Sequence, residues 1–284
     1  KSLWNAGWSF GKEKLGDKPD VSKGSFYANP LYDKHPDDSV AEKNPLAYPN
    51  NLWPTTALPE LEPSFKSLGH TMFEVTCMLM GQIDSLVKKH YPDYKPIIEP
   101  FSKTHKIKGR LLYYFPTEDH DDASWIGWHN DSGFLTSLTP ALFFNDETGE
   151  TIDNPDPDGG LWIVDRKSSS VRVRVPKDHL VIQCGECLQV ITGGLLHATP
   201  HSVRASKPPQ GMKVGRASFP VFIDTDTDFK LAPPPGVTNE QIFEKEPSSL
   251  VPPLKDRWEG PEQAFGDFLT KTFKQYYEWN KSDK

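Results

Sequence analysis

Three side chains of this 284-residue chain have the types and the spacing that a metal centre requires. His129 and Asp131 are two positions apart, and residues i and i+2 of a β-strand point to the same face. A second imidazole, from His201, could reach the same point from another strand. Two imidazoles and one carboxylate on one face of a metal leave the other face open, as in the facial triad of non-haem Fe(II) oxygenases. These residues, called the triad below, therefore predict an open, reactive metal site.

The motifs around the triad resemble those of a known family. The chain carries four of them in the family's order: His129-Asn-Asp131, a turn between glycines at residues 185–194, a histidine near a valine at residues 199–203, and Arg216-Ala-Ser218. Over about residues 105–225 this order resembles the isopenicillin N synthase-like branch of the iron(II)/2-oxoglutarate dioxygenases, and the opening segment is similar to uncharacterised plant-type members. Three positions depart from the pattern: Glu186 replaces the usual Asp, Gly193 the usual Asn and Ser202 the usual Arg.

The resemblance implies roles for individual residues. The triad would bind Fe(II), and Arg216 and Ser218 would hold the distal carboxylate of 2-oxoglutarate, which a guanidinium fork and a hydroxyl suit. Tyr114 stands where relatives place a tyrosine that contacts this co-substrate. The residues expected on the substrate side are His197, Phe134 and Trp128.

The implied cofactors are Fe(II), 2-oxoglutarate and O2. The implied reaction oxidises a C–H bond of a small molecule, by hydroxylation, desaturation or oxidative ring closure, and releases succinate and CO2. Isopenicillin N synthase keeps an Arg-x-Ser without using 2-oxoglutarate, so an oxidase independent of 2-oxoglutarate remains an alternative. A zinc hydrolase could use the same ligands but leaves Arg216 and Ser218 without a role. A non-catalytic jelly-roll binding protein would need no open metal face.

Other histidine and cysteine patterns compete with these interpretations. His197 precedes His201 by four residues, so on one strand both would point to the same side; the motif order favours His201. A helical zinc pair is excluded because Pro200 would break the helix. Cys184-Gly-Glu-Cys187 could suggest zinc or redox chemistry, but a structural zinc site needs four ligands and only one further cysteine exists, so both are interpreted as core or turn residues.

Composition narrows the function classes further. A formal charge of −7 without a basic run argues against nucleic acid, whose binding needs clustered Lys and Arg. No segment approaches the roughly 18 to 20 apolar residues of a membrane span. Three cysteines in a chain of this length fit a reducing compartment, and we expect the cytoplasm, although the chain opens at Lys1 and a targeting segment could have been trimmed. The expected partner is a small molecule, and the expected state is a monomer.

Short strands separated by turn residues, without intervening helices, predict a mainly β fold with flanking helices and a double-stranded β-helix, or jelly-roll, core. We expect a single domain: an irregular N-terminal wrap with a support helix (residues 1–104), the catalytic core (105–225) and a Pro-rich C-terminal segment ending in a helix (226–284). The support helix begins near Pro59, with a predicted apolar stripe: Phe65, Leu68, Met72, Val75, Leu79, Ile83 and Leu86. The short apolar run at residues 188–191 is predicted to be a strand.

Overall fold

The computed structural model of the protein describes residues 6–12, 14–15, 18–116, 124–207, 209, 211–243 and 250–282. The strands are β1 (Gly7–Phe10), β2 (Lys14–Leu15), β3 (Lys18–Pro19), β4 (Lys23–Ala28), β5 (Ile107–Tyr114), β6 (Ser124–His129), β7 (Leu135–Leu138), β8 (Leu142–Asn145), β9 (Thr151–Ile152), β10 (Gly160–Val164), β11 (Ser170–Arg172), β12 (Val181–Cys184), β13 (His201–Arg204), β14 (Val214–Ser218) and β15 (Pro220–Ile223). The helices are α1 (Asp38–Lys43), α2 (Leu61–His90), α3 (Ile98–Ser102), α4 (Glu186–Ile191), α5 (Asn239–Phe243) and α6 (Phe265–Ser282), with a 3-10 turn at Leu254–Asp256.

The strands form two main antiparallel sheets. The larger sheet has the order β12-β7-β15-β5-β14-β8-β9, with β4 also pairing with β5 and β1 with β4. The smaller sheet has the order β11-β10-β13-β6. This is the predicted mainly β fold with flanking helices and a jelly-roll core. Because β6 and β13 are neighbours, one sheet carries both histidines of the triad.

The predicted support helix is confirmed as α2, but its buried side is shifted from the predicted stripe. Apart from the adjacent pair Ile83 and Asp84, its buried residues recur every three or four positions: Phe65, Gly69, Met72, Thr76, Met80, Ile83, Asp84 and Val87. Leu68, Leu79 and Leu86 are exposed. The predicted stripe counted apolar side chains alone, so it did not include Gly69. Yet Gly69 lies on the buried side of the helix and packs so closely that an added Cβ would lie 2.3 Å from Cβ of Pro30. Among the described helices, none has the length and apolar character needed to cross a membrane.

The N-terminal segment is more regular than predicted. Strand β4 pairs with β5 along its whole length, and all six of its residues are buried. Lys23 is buried there because it forms an ion pair with Asp20. A strand covered on both sides does not alternate between apolar and polar residues, so the period of two that identifies half-buried strands was absent.

The predicted strand at residues 188–191 is wrong. These residues belong to helix α4, in which every residue from Glu186 to Ile191 is buried. Complete burial removes the amphipathic pattern that separates a helix from a strand in so short an apolar run. The helix ends before Gly193 and Gly194, whose φ angles of +62° and +78° lie in the left-handed region that glycine adopts readily.

Candidate metal centre and its cavity

His129 and His201 meet across two paired strands. His129 is the last residue of β6, His201 is the first of β13, and the antiparallel register places them directly opposite each other. Their ring centroids are 4.2 Å apart. The two imidazoles therefore stand together at one end of the smaller sheet.

Asp131 joins the pair from the connection after β6 and is not in the strand itself. The strand alternation predicted between residues 129 and 131 is therefore wrong, although the structure does bring both side chains to one place. Oδ1 of Asp131 lies 3.8 Å from Nε2 of His201. One ligand atom from each of the three side chains lies within 4.8 Å of the other two.

Backbone carbonyls orient both imidazoles. Nδ1 of His129 lies 2.8 Å from the carbonyl oxygen of Gly127, and Nδ1 of His201 lies 3.1 Å from that of Thr199. A carbonyl oxygen only accepts, so each Nδ1 carries the proton and each Nε2 keeps a lone pair for a metal. Burial, reinforced by the neighbouring His201, lowers the pKa of His129 to about 4. This histidine is therefore neutral at neutral pH, as metal ligation requires.

A cavity of about 1240 Å³ opens in front of the triad. This exceeds the roughly 300–1,000 Å³ of an ordinary small-molecule site, so it can hold a co-substrate together with a substrate. Its wall includes all three triad residues and a largely apolar lining: Leu112, Ile126, Leu138, Leu161, Val173 and Val203. Apolar walls limit the access of water to a metal placed at the triad.

Arg216, Ser218 and Tyr114 line the same cavity. Arg216 and Ser218 are alternate residues of β14, and Arg216 pairs with Tyr114 of β5. The Arg216 side chain is buried, and among the described residues its Nε and Nη1 atoms have no hydrogen-bond partner. Burial lowers the pKa of Arg216, an effect that Tyr114 partly offsets. A buried guanidinium whose Nε and Nη1 have no hydrogen-bond partner among the described residues is suited to bind the carboxylate of a ligand.

The three residues predicted on the substrate side lie elsewhere, since none of them lines the cavity as the described residues define it. Phe134 is fully buried against Phe101, Phe229 and Phe265, so it is a core residue. Trp128 directly precedes His129 in β6, and consecutive strand residues point to opposite faces. His197 precedes β13 instead of lying within it, so strand alternation gives no reason for it to face the same side as His201.

Arg110 is a cavity residue that the sequence did not single out. It lies on β5, two and four positions before the cavity residues Leu112 and Tyr114, a spacing that could have identified it. Its Nε and Nη2 donate to Oγ of Ser25, and its positive charge contributes to the low pKa of His129. Arg110 therefore adds a positive charge to the cavity wall besides that of Arg216.

The segment that carries Asp131 is held by the start of α4. The amides of Gly185, Glu186 and Cys187 donate to the carbonyls of Phe134, Asp131 and Gly133 over 2.9, 2.9 and 3.0 Å. This contact needs glycine at position 185, because an added Cβ would lie 2.2 Å from the Gly133 oxygen. The cysteines fit the prediction of core or turn residues: Sγ of Cys187 donates to the Ser132 carbonyl, and burial raises the pKa of Cys184 to about 11.

A second group of ligand-type side chains, His35, His105 and Asp226, lies outside the large cavity. Oδ1 of Asp226 already accepts hydrogen bonds from the His105 amide and the Tyr48 hydroxyl, over 3.0 and 3.1 Å. Oδ2 lies 3.7 Å from Nδ1 of His105. These contacts explain the group as a link between the N-terminal segment and the end of β15.

The segment that contains the triad matches a known protein family. Residues 109–225 match the sequence model of the 2OG-Fe(II) oxygenase superfamily, and this match includes the triad, Arg216 and Ser218. Together with the jelly-roll fold, this match agrees with the family that the motifs suggested. Residues 109–225 carry the sequence pattern of the 2OG-Fe(II) oxygenases, enzymes whose cofactors are Fe(II) and 2-oxoglutarate.

Among individual proteins, the chain is similar to a probable iron/ascorbate oxidoreductase of Dictyostelium discoideum, with 26% identity over 274 residues, 88% of this chain and 67% of the relative. Its fold is similar to that of a 2OG-Fe(II) oxygenase family protein from Caulobacter crescentus, with a TM-score of 0.64, 20% identity, and coverage of 95% of this chain and 76% of the other. It is also similar to a full-length Neurospora crassa protein solved in complex with alpha-KG, with a TM-score of 0.60, 16% identity, and coverage of 96% and 72%. At these identities the solved structures establish the fold alone.

Proposed function

We propose that the chain is a dioxygenase that uses Fe(II) and 2-oxoglutarate to oxidise a C–H bond of a small molecule, with release of succinate and CO2. His129, Asp131 and His201 would hold the iron, and Arg216 with Ser218 would hold the far carboxylate of 2-oxoglutarate. One observation carries the proposal: the triad and the buried Arg216, two of whose nitrogens have no hydrogen-bond partner among the described residues, line one cavity. The solved complex of the Neurospora crassa protein with alpha-KG supports it.

Each residue would contribute a defined part of the chemistry. When bound, iron and 2-oxoglutarate supply the oxidising power, and the protein supplies orientation and a dry site. The two imidazoles present Nε2 because their Nδ1 protons are held by carbonyls. The planar fork of Arg216 would fix the direction of the co-substrate, and Tyr114, which lines the same cavity wall, would add a further contact. The apolar wall would place the substrate and keep water away.

Two alternatives make different demands on Arg216. In an oxidase independent of 2-oxoglutarate, its fork would bind a carboxylate of the substrate itself. In a zinc hydrolase, the triad would still hold the metal, but the buried guanidinium in the same cavity would serve no step.

Metal analysis combined with O2 uptake and succinate formation tests the proposal. The protein, stripped of metal and reloaded anaerobically with Fe(II) or Zn(II), is supplied with 2-oxoglutarate and pools of small metabolites. We expect the iron form alone to consume O2, with one succinate formed for each O2 in the presence of the substrate. O2 uptake without succinate would support the oxidase, and turnover by the zinc form without O2 would support the hydrolase.

A further inference from the structure

The C-terminal segment reaches the metal centre through a buried ion pair. Arg257 and Glu186 are both fully buried, at 0% exposure. Nη1 and Nη2 of Arg257 each donate to one carboxylate oxygen of Glu186 over 2.5 Å, the parallel geometry of a guanidinium fork. Nη2 also donates to the Pro252 carbonyl over 2.8 Å, and Nη1 donates to Oγ1 of Thr272 over 3.3 Å. The position of the Glu186 carboxylate is thus fixed by residues from the last 33 positions of the chain.

Glu186 in turn contacts Asn130, the residue between the triad members His129 and Asp131. Its Oε1 accepts a 3.0 Å hydrogen bond from Nδ2 of Asn130, which lies between His129 and Asp131. Its amide donates to the carbonyl of Asp131 over 2.9 Å. One residue therefore holds both the side chain of position 130 and the backbone of position 131. The Glu186 side chain, at a position where the family pattern has Asp, accepts the hydrogen bond from Asn130 and pairs with Arg257.

A second contact from the same C-terminal segment reaches Asn130. The backbone amide of Asn130 donates to the Tyr276 hydroxyl over 3.0 Å. The Arg257 guanidinium lies 5.6 Å from the centre of the Tyr276 ring and 5.7 Å from that of Phe268, both in α6. Asn130 is therefore held by two hydrogen bonds, one from its side chain to Glu186 and one from its backbone amide to Tyr276.

Fold stability alone does not account for such a pair. Burying two charges costs free energy that their attraction only about balances, and apolar residues of similar volume often stabilise a protein equally well. What apolar residues could not do is accept the hydrogen bond of Asn130. Replacing residues that hydrogen-bond to metal ligands and orient them typically lowers metal affinity about 10- to 100-fold.

We infer that Arg257, Glu186 and Tyr276 are positioning residues for the metal centre, and that they fix the segment between His129 and Asp131 from the C-terminal part of the chain. This inference rests on the proposed function, because it assumes that the triad holds the metal. It assigns to the C-terminal segment a role in metal binding, without contact with metal or substrate.

Anaerobic titration of the full-length, metal-free chain with Fe(II) and with Co(II) tests this. The variants are Tyr276→Phe, which removes one hydroxyl, and the double variant Glu186→Met with Arg257→Met, which leaves no unpaired buried charge. The matched control is Glu259→Gln with Lys271→Met, which removes an exposed ion pair of the same segment. Thermal unfolding of each metal-free variant is measured in parallel.

We expect both test variants to bind metal about 10- to 100-fold more weakly than the wild type, while the control keeps wild-type affinity. The metal-free double variant should unfold within a few degrees of the wild type, which separates positioning from stability. Wild-type affinity in both folded test variants would overturn the inference. Failure of the proposed function looks different, since the wild type itself would then bind no metal or His201→Ala would bind it equally well.

Discussion

The guanidinium of Arg216 lies 4.9 Å from the centre of the Tyr114 ring, and the two residues are paired across β14 and β5. The Tyr114 ring is in turn stacked on Trp125 at 5.0 Å. Two aromatic faces therefore remove the guanidinium from water and still leave its fork directed into a cavity shared with the triad. An anion bound there gains more from each charged hydrogen bond than it would at the surface.

Replacing Arg216 tests this arrangement. Arg216→Lys keeps the charge but loses the planar fork, so the 2-oxoglutarate Kd should rise roughly tenfold to a hundredfold, which corresponds to about 1.5–3 kcal/mol for a charged hydrogen bond. The Kd is measured by isothermal titration of the metal-loaded protein. Arg204→Lys is the control, because Arg204 is exposed and stacks on Trp162. Equal Kd values in the two variants would remove Arg216 from the co-substrate site.

Phe134 should affect stability and leave the substrate site intact. Phe134→Ala removes a fully buried ring from the cluster with Phe101, Phe229 and Phe265, and should cost about 3–5 kcal/mol of unfolding free energy. Urea unfolding gives this value, and Phe273→Ala, at an exposed position of α6, should change it by less than about 0.5 kcal/mol. A stable Phe134→Ala with altered substrate preference would instead restore the role predicted from the sequence.

Gly185 should tolerate no side chain. Its added Cβ would lie 2.2 Å from the carbonyl oxygen of Gly133, so Gly185→Ala must separate α4 from the segment that carries Asp131. We expect loss of metal binding together with a lower unfolding temperature. Gly81→Ala is the matched control: no atom lies within 4 Å of its added Cβ, and alanine should stabilise α2 by about 0.5–1 kcal/mol. Unchanged metal affinity in Gly185→Ala would show that the contact with α4 is dispensable.

The thiols should be unreactive in the folded protein at ordinary pH. Burial raises the pKa of Cys184 to about 11 and that of Cys187 well above its usual value. Only thiolates react, so a pKa of about 11 leaves roughly one thiol in a thousand reactive at pH 8, and the rate should rise about tenfold per pH unit below the pKa. Labelling with a chromogenic disulfide, with urea-unfolded protein as the control, measures this rate. Rapid native labelling at pH 8 would revive the redox interpretation of Cys184 and Cys187.

The candidate site could be predicted where side-chain type and motif order carry the information. Motif order located His129 and Asp131 in one motif and His201 in a second, and the fold brings the three side chains together. Strand alternation could not locate these side chains, because Asp131 lies beyond the end of β6 and His197 lies before the start of β13. A period of two has predictive value only inside a strand, and the ends of strands are where ligands of this kind lie.

Other features depend on contacts that no local pattern records. Glu186 and Arg257 are 71 positions apart, and their pairing follows from tertiary packing. Phe134 has the residue type of a substrate-site aromatic, and only its three ring contacts identify it as core. Helix α4 was missed because a fully buried element shows no polar face.

The proposed function requires that one iron at the triad and one 2-oxoglutarate at Arg216 occupy the same cavity. Anaerobic titration of the Fe(II)-loaded protein with 2-oxoglutarate, followed through the visible metal-to-ligand charge-transfer band, tests both halves at once. We expect a band that saturates at one 2-oxoglutarate per iron, is lost in Asp131→Ala, and requires higher 2-oxoglutarate concentrations in Arg216→Lys. A wild type that holds iron but develops no band, or a band that persists in Asp131→Ala, would contradict it.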